Sequence, residues 1–426
     1  MRRFVLVAAV FLLSAAGLFA HVSFHREIPA QLNKSRSFPP AMIEQGEKLA
    51  HLGACATCHT RPGGATYTGG LGLHTPFGTI YSTNITPHAE SGIGVWNEEA
   101  FIRAMREGVD RRGRLLYPAF PYDHYTKVRD DDLKALYAYF ITREPLRADA
   151  KDNELRFPFH FRPLIGMWNM LFLDPAPFRP DPSKSAAWNE GAYYVEGLGH
   201  CGACHSPRNA LGGIAPSSRL AGGDVDGWHA PAIGAHAKPV IAWTKDSLMN
   251  YLVDGWDEHH GVAAGPMTAV VNHLAKLDES MVEAMAAYLA DVQPRSIEGS
   301  RETILSQARE REASGGTGAG ASASANNDGQ AIFSRSCANC HQRNSKTVPL
   351  ALGAAVNAPH PGNLIHIILH GIQAPSGSPE KSMPRFAQSL NDEQVIALAT
   401  WMRQHFSQKA AWTDIGAKTK EMRMQK

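Results

Sequence analysis

The sequence predicts an all-α chain made of three tandem small domains, and three recurring features support this fold class. The pattern Cys-x-x-Cys-His occurs three times in the 426 residues, ending at His59, His205 and His341. A helix-like segment precedes each copy, and a second segment with apolar residues at helical spacing follows far downstream. Each repeat spans about 80–110 residues, a size at which a domain has few hydrophobic layers of its own.

The repeated pentapeptide indicates covalent attachment of haem c. Its three copies are Cys55-Ala-Thr-Cys58-His59, Cys201-Gly-Ala-Cys204-His205 and Cys337-Ala-Asn-Cys340-His341, and they use all six cysteines. Cysteines at i and i+3 share one face of a helical turn, so both thiols can reach the two vinyl groups of one porphyrin. The histidine at i+4 stays on that face and can bind the iron. A thiol redox pair or half of a zinc site would not require a histidine after each pair.

The segments that flank each motif predict the helices of each repeat. The upstream segments begin near Gly46, Gly191 and Gly329, and the closing segments start at Asp130, Asp278 and Asn391. Acidic residues in a first turn are favourable at the positive end of the helix dipole. An aromatic residue lies at a matching place in each closing segment, namely Tyr137, Tyr288 and Trp401. We expect the first and last helices of each domain to cross, with this aromatic packed in the crossing.

These features divide the chain into seven segments. We expect a signal peptide or membrane anchor over 1–30, cytochrome c domains over 41–148, 187–294 and 327–408, a Pro- and aromatic-rich connector over 149–186, a linker over 295–326 that is of low complexity from about 314, and a tail over 409–426. The connector composition favours an ordered strap, whereas the Gly/Ala/Ser-rich linker is typical of a mobile tether. The third domain is therefore expected to be held less tightly than the other two.

The amino terminus indicates export. Arg2 and Arg3 precede an apolar run over 4–20 that is interrupted only by Ser14 and Gly17. This pattern is typical of an export signal, and the run is at the lower limit of the length that spans a bilayer. A cleaved signal and a retained anchor both remain open. Either one places the chain on the periplasmic side of a bacterial inner membrane, where haem c is attached.

Two methionines are candidates for the distal iron ligands of the second and third domains. A methionine sulfur opposite the histidine is usual in electron-carrying c haems and raises the potential. Met267 and Met383 both lie in the stretch that precedes a closing segment. Each could instead be a gap-filling core residue.

The first domain departs from this pattern. Its corresponding loop is Tyr117-Pro-Ala-Phe-Pro-Tyr-Asp-His124, with Phe120 where a methionine ligand would be expected. Phenylalanine cannot bind iron, whereas His124 can, so bis-histidine ligation of the first haem is our hypothesis. Met105, inside a predicted helix over 98–107, and a five-coordinate iron are the alternatives.

The remaining polar features are weaker signals. His259 and His260 adjoin the loop of Met267, and we expect them to be a solvated pair, with contact to a haem propionate as the alternative. His360, His366 and His370 are expected to be surface or packing residues. The chain carries 42 basic and 40 acidic residues, a balance that gives no indication of nucleic-acid binding.

The sequence resembles the three-haem cytochrome c subunits of membrane-bound bacterial dehydrogenases, such as alcohol, gluconate, sorbitol and fructose dehydrogenases. The resemblance covers nearly all of 41–408, and its most specific stretches are 81–87, 117–121 and 188–208. The stretches 117–124 and 260–267 are more similar to a branch whose partner is a molybdenum hydroxylase, such as nicotinate, isoquinoline or aldehyde dehydrogenase. The alcohol dehydrogenase branch has methionine at the position of Phe120.

The resemblance implies a non-catalytic, electron-transfer subunit. Electrons would pass from a catalytic dehydrogenase subunit (a molybdenum hydroxylase, quinoprotein or flavoprotein, accompanied by a small subunit) through three haems to ubiquinone or another respiratory acceptor at the membrane. Two alternatives belong to other classes. One is a peroxidase-like haem enzyme using the first haem, and the other is a free-standing multi-haem shuttle.

Overall fold

The computed structural model describes residues 2–32, 37–294, 299–314, 328–341 and 347–424. The chain is mostly helical, with 48% of its residues in helices. Within these residues, seven short strands form three small antiparallel sheets, ordered β1-β2-β3, β4-β5 and β6-β7, which the all-α expectation did not include. All strands except β3, which lies in the connector, come from the long loops between a Cys-x-x-Cys-His motif and its closing helix, where glycines permit tight reversals.

The helices fall into three groups along the chain, one for each Cys-x-x-Cys-His motif. The helices of the first part are α1 Arg2–Ser23, α2 Pro40–Leu52, α3 Cys55–Cys58, α4 Glu98–Glu107, α5 Tyr122–Tyr125, α6 Asp130–Ile141 and α7 Leu164–Phe172. Those of the middle part are α8 Ala186–Glu196, α9 Gly202–His205, α10 Lys245–Asp254, α11 Pro266–Leu274 and α12 Glu279–Val292. Those of the last part are α13 Arg301–Ser314, α14 Gly329–Ser336, α15 Ala338–His341, α16 Ala354–Asn357, α17 Gly362–His370, α18 Asp392–Ser407 and α19 Ile415–Met424. The strands are β1 Gly72–Thr75, β2 Gly78–Tyr81, β3 Glu154–Leu155, β4 Gly223–Val225, β5 Trp228–Ala230, β6 Trp256–Asp257 and β7 Gly261–Val262.

The chain separates into two compact units. The first comprises Met1–Lys184, Ala192–Ala203 and Arg208–Pro216, and the second comprises Ser185–Gly191, Cys204–Pro207 and Ser217–Lys426. The predicted linker over 295–326 is only partly described. Its low-complexity stretch falls on 315–327, outside the described residues, whereas α13 occupies much of what precedes it.

A glycine allows a very close helix crossing at three places. The pairs that cross are α2 with α6, α8 with α12, and α14 with α18. A Cβ atom placed on Gly46, Gly191 or Gly329 would lie 2.1, 1.9 or 2.2 Å from the carbonyl oxygen of Ala135, Ala284 or Ala397, respectively. No side chain fits at such distances. The glycines that begin the upstream segments are therefore required by backbone-to-backbone approach.

The aromatic residue in each crossing differs from the expectation in one case. A Cβ on the three glycines would lie 2.7, 2.9 or 2.6 Å from the Cβ of Tyr139, Tyr288 or Trp401. Tyr139, and not Tyr137, therefore occupies this position in the first crossing. Tyr137 lies two residues earlier, on another face of α6, where it is fully buried and its hydroxyl donates to the carbonyl of Trp96 at 2.9 Å. Sequence spacing alone could not separate these two tyrosines.

The β4-β5 hairpin follows directly from its sequence. Asp226 and Gly227 form its two-residue loop, and both have positive φ, at 49° and 78°. An Asp-Gly pair is the usual choice for this turn because both central residues must be left-handed. The hairpin ends at Ala230, directly before a residue that contacts a motif histidine.

The last part of the chain is docked firmly on the middle part within the second unit, so the expectation of a loosely held third domain is wrong. The side chain of Asn363 accepts from the amide of His229 at 2.7 Å and donates to its carbonyl at 2.8 Å. Trp228 stacks on His366 with ring centroids 4.7 Å apart and planes 8° from parallel. These contacts involve the predicted packing residue His366, which is 5% exposed.

The two ends of the chain are also helical. In α19, Thr419 and Met422 are fully buried, and Arg423 pairs with Asp392 at the start of α18. The predicted tail is thus part of the core of the last section. At the other end, Ser23 of α1 donates through its hydroxyl to the carbonyl of Pro163 at 2.9 Å. None of the helices in the described ranges is both long enough and apolar enough to cross a membrane.

Replacement of Gly329 by alanine is expected to destabilise the protein. The added methyl group must push α14 away from α18, and overpacking of this kind costs about 1–3 kcal/mol. Thermal unfolding of the haem-loaded protein measures the change. The matched control is Gly416→Ala in α19, where a Cβ would have only one neighbour, at 3.9 Å. That variant should be neutral or stabilised, since alanine favours helix. Equal destabilisation of both variants would contradict the account of the crossing.

The pair of Trp228 and His366 is expected to make the second unit sensitive to acid. Burial lowers the pKa of His366 to about 4, against 6.5 for the unfolded chain. Between these values the unfolded state binds more protons, so stability falls as pH decreases from 6.5 to 4, by up to about 3 kcal/mol.

The variant His366→Phe keeps an aromatic ring against Trp228 and cannot take up a proton. The free energy of unfolding, measured at pH 7 and pH 4.5, should therefore fall less in His366→Phe than in the unmodified protein. An identical fall in both proteins would show that His366 is not the acid-sensitive group.

Candidate haem sites

Each Cys-x-x-Cys-His motif lies on a short helical turn, as the spacing requires. The turns are α3, α9 and α15, and in the first motif the amide of His59 bonds to the carbonyl of Cys55 at 3.0 Å. In the third, the amide of His341 bonds to the carbonyl of Cys337 at the same distance. The two thiols and the imidazole of a motif therefore project from one face of a turn, the arrangement that fits a covalently attached porphyrin.

Two motif histidines are oriented by a backbone carbonyl. Nδ1 of His59 donates to the carbonyl of Thr83, and Nδ1 of His205 donates to the carbonyl of Pro231, both at 2.6 Å. A carbonyl oxygen can only accept, so the proton of each neutral ring must lie on Nδ1. The lone pair of Nε2 is then free to bind a metal, and the same contact fixes the plane of the ring.

Equivalent hairpins supply these two carbonyls. Thr83 follows β2 of the β1-β2 pair, and Pro231 follows β5 of the β4-β5 pair. A second hydrogen bond closes each loop. The amide of Gly69 donates to the backbone carbonyl of His59 at 2.7 Å, and the amide of Gly222 donates to the backbone carbonyl of His205 at 2.8 Å. The first two motifs thus share one local structure, in which a hairpin positions the histidine.

The third motif histidine has a different environment. Nδ1 of His341 is buried and has no hydrogen-bond partner within the described parts of the chain. Residues 342–346, which follow it directly, lie outside the described residues.

Burial affects the protonation of both kinds of motif residue. It lowers the pKa of His59, His205 and His341, so all three imidazoles are neutral near pH 7, as iron ligation requires. It raises the pKa of the Cys55 thiol to about 12 and that of Cys337 to about 11. In the part of the chain that the structure describes, no group of three or more His, Cys, Asp or Glu side chains is arranged to hold a metal ion.

The structure places both candidate methionines in partly buried positions beside glycines. Met267 lies in the first turn of α11, directly after Pro266 and Gly265, and a Cβ on Gly265 would lie 2.4 Å from the ring of Trp228. Met383 exchanges two backbone hydrogen bonds of 3.0 Å with Ile372, just after α17. Both backbones are therefore fixed, while the side chains are partly exposed.

His124 lies in α5, and its side chain is 13% exposed. Its Nδ1 is 3.2 Å from a carboxylate oxygen of Asp123. Burial would raise the pKa of Asp123, but His124 and Arg208 outweigh that effect, so this pKa lies below its usual value. The charged carboxylate beside Nδ1 leaves Nε2 as the nitrogen available for iron. The rival Met105 is buried in α4, which covers the predicted helix 98–107.

The expectation of a solvated pair is wrong for His260. Its ring is 4% exposed, with Nδ1 2.6 Å from the carboxylate of Asp257 and Nε2 3.2 Å from the carbonyl of Ile241. It also stacks on Trp243, with ring centroids 3.6 Å apart. This buried cluster anchors β6 and β7 immediately before the segment that carries Met267. The sequence signal that could have revealed it is the Asp257–His260 spacing across a tight hairpin.

Removal of the carboxylate in Asp257→Ala is expected to cost about 1–3 kcal/mol, because it leaves the buried Nδ1 of His260 and the amide of His259 without their hydrogen-bond partner. Urea unfolding of the haem-loaded protein measures this loss. Exposed ion pairs contribute little, so Glu283→Ala, which removes the partner of Lys245 at 2.8 Å, serves as the control and should leave the midpoint unchanged. Similar urea midpoints for both variants would show that the Asp257–His260 pair does not contribute to the stability of the folded protein.

Three similar proteins and one family match indicate the identity of the chain. One of the subunits of nicotinate dehydrogenase from Pseudomonas putida is 45% identical over 91% of this chain, which spans only 32% of that protein. The fructose dehydrogenase cytochrome subunit of Gluconobacter japonicus is 35% identical, with 87% of this chain and 80% of the relative covered. The gluconate 2-dehydrogenase cytochrome c subunit of Pantoea cypripedii is 36% identical, with 85% of each covered.

The family described as cytochrome c oxidase, cbb3-type, subunit III matches residues 324–402, around the third motif. This cytochrome match and the near full-length similarity to two cytochrome subunits agree with the chemistry of the Cys-x-x-Cys-His turns. The chain belongs to the family of cytochrome c subunits of dehydrogenases, which are electron-transfer subunits and not catalytic ones.

Proposed function

We propose that this subunit carries three haems c and passes electrons through them from a catalytic dehydrogenase subunit to ubiquinone or another respiratory acceptor. The thioether bonds would form at Cys55, Cys58, Cys201, Cys204, Cys337 and Cys340. The observation that carries the proposal is the pair of hydrogen bonds from Nδ1 of His59 and His205 to Thr83 and Pro231, each 2.6 Å long. Histidines that bind a metal through Nε2 almost always make such a bond from the other ring nitrogen.

The bound haem iron would supply one-electron redox chemistry, and the chain would supply its ligands and surroundings. His59, His205 and His341 would be the proximal ligands, each neutral because burial lowers its pKa. Met267 and Met383 are proposed as distal ligands of the second and third haems, and His124 as that of the first. A methionine sulfur raises the potential and a second histidine lowers it, so the first haem would have the lowest potential of the three.

Contacts within the first unit support electron transfer between the first two haems. His200, the residue before Cys201, packs edge-on against Tyr125 with ring centroids 5.5 Å apart. A Cβ on Gly53, two residues before Cys55, would lie 3.3 Å from both a methyl carbon of Leu198 and the sulfur of Cys55. The segments that lead into the first and second motifs are therefore in direct contact.

The similarity to a nicotinate dehydrogenase component favours a molybdenum hydroxylase as the catalytic partner. This chain is 45% identical to that protein but spans only about a third of its length, so the partner and its substrate are part of the proposal. A small subunit would complete the complex. The basic and apolar amino terminus supports a site of action on the periplasmic side of the inner membrane, in contact with the bilayer.

Reconstitution with the catalytic subunit, expressed from the neighbouring genes, tests the electron-transfer function. After addition of the partner's substrate under anaerobic conditions, the haem absorption should change from oxidised to reduced, and a soluble ubiquinone analogue should reoxidise it. If the substrate is oxidised and the quinone is reduced without any change in the haem absorption, the proposal is refuted. Rapid peroxide turnover by the isolated subunit would instead favour a haem enzyme.

Substitution of each proposed distal ligand should affect one haem only. Met267→Ala and Met383→Ala should each remove one contribution to the near-infrared band of methionine-ligated iron, whereas His124→Ala should leave that band intact and open the first haem to carbon monoxide. Met424→Ala, at an exposed site in α19, is the control and should change neither signal. A band that counts three methionine-ligated haems in the unmodified protein would contradict the role of His124.

A further inference from the structure

The connector between α6 and α8 carries an exposed apolar surface that electron transfer does not explain. We define the strap patch as Phe157, Phe161, Leu164, Met167, Met170 and Leu171. Their exposed fractions run from 38% at Leu164 to 85% at Phe157. In α7 the exposed residues recur at positions i, i+3 and i+7, so they form one stripe of the helix.

The opposite face of α7 is built into the first unit. Ile165 packs with Val109 and Leu115 in a small buried cluster. Asn169 accepts from the hydroxyl of Tyr122 at 2.6 Å, and the indole of Trp168 donates to the carbonyl of Leu211 at 3.0 Å. The strap patch is therefore held rigidly outward, since the other face of the helix is fixed by packing and by directed hydrogen bonds.

The polar groups of this stretch largely point inward or carry positive charge. Arg162 donates to the carbonyl of Leu115 at 2.6 Å and lies over the ring of Tyr117. Between Glu154 and Asp174 the sequence contains no acidic residue, whereas Arg156 and His160 are exposed. The outward surface thus offers apolar side chains, a few basic groups and few hydrogen-bonding partners. A specific protein partner would require roughly one hydrogen bond per 100–200 Å² of interface.

The helix that carries most of the strap patch contacts a second helix with exposed apolar side chains. The end of α1 abuts α7, because a Cβ on Gly166 would lie 2.4 Å from the carbonyl oxygen of Val22. Large apolar side chains of α1 are exposed along its length, including Phe4 and Phe11 at 84% and 73%. Two helices with exposed apolar side chains therefore meet in the first unit, at the carboxyl end of α1.

We propose that the strap patch lies in the surface of a lipid bilayer, with its apolar side chains below anionic headgroups that Arg156 and His160 contact. An apolar helix stripe flanked by basic groups and aromatic rings is typical of interfacial insertion. The proposal rests on the membrane contact included in the proposed function, and assigns that contact to particular residues. It orients the first unit so that α7 lies flat on the membrane.

A spin label at Leu171 tests this inference on the full haem-loaded chain. Because the six native cysteines are proposed to be in thioether bonds, the cysteine of Leu171→Cys would be the single free thiol. With vesicles of phosphatidylglycerol, the label should become more accessible to oxygen and lose most of its accessibility to a water-soluble nickel complex, because it would lie below the headgroups. The matched control, Met424→Cys at a site that is 78% exposed, should remain equally accessible to nickel with and without vesicles.

The possible outcomes separate this inference from the broader function. If the chain binds vesicles while the label at Leu171 stays in water, the strap patch is not the contact, but membrane association stands. If the chain binds no vesicles, the strap-patch contact and the membrane contact of the proposed function are both refuted. A label that becomes immobile with rising protein concentration and no lipid would show an interface between copies, which overturns the inference. Insertion into neutral phosphatidylcholine vesicles to the same extent would overturn the role of Arg156 and His160.

Discussion

The hydrogen bond from Nδ1 of a motif histidine to a backbone carbonyl is the interaction on which the account of this subunit depends. It fixes the tautomer and the plane of the ring, and so leaves Nε2 as the nitrogen that would bind the iron. In the first two motifs this bond is 2.6 Å long, and its acceptor follows a β-hairpin. The hairpins would therefore be part of the proposed haem sites, since they orient the histidine without contributing a side chain to the metal.

A second constraint concerns how such small helical sections form a core. At Gly46, Gly191 and Gly329, an added Cβ would lie about 2 Å from a carbonyl oxygen of the closing helix. A porphyrin attached to the neighbouring Cys-x-x-Cys-His turn would supply apolar surface that the side chains of so small a section lack. Haem attachment and folding would then be coupled, as is common for chains that bind metal sites.

Much of this arrangement could be predicted from the sequence, because the chemistry of the motif requires fixed spacing. The helix over 98–107 has the predicted bounds, and in the structure Asn97 and Gly108 cap its two ends. The prediction that Tyr137 lies in the first crossing is wrong. Tyr139, two residues later, is the same type of residue but lies on the face of the helix that meets α2. The burial of His260 was missed as well, since its partner Asp257 acts across a hairpin that has only two residues in each strand.

The acceptors Thr83 and Pro231 could not have been found from residue types, because a backbone carbonyl carries no sequence signature. The docking of the last section on the middle one was likewise hidden. A low-complexity linker suggested a mobile third domain, whereas Asn363 and His366 form specific contacts with His229 and Trp228. Linker composition reports on the linker itself and says little about the surfaces that it connects.

The mass of the intact, denatured protein tests the central claim most directly. The subunit should be produced in a host that attaches haem c, and its amino terminus should be sequenced so that any cleaved segment is known. The account predicts a mass that exceeds that of the polypeptide by three haem groups, which remain bound after extraction with acidified acetone. A mass that corresponds to two haems or fewer would contradict the claim that all three motifs carry one.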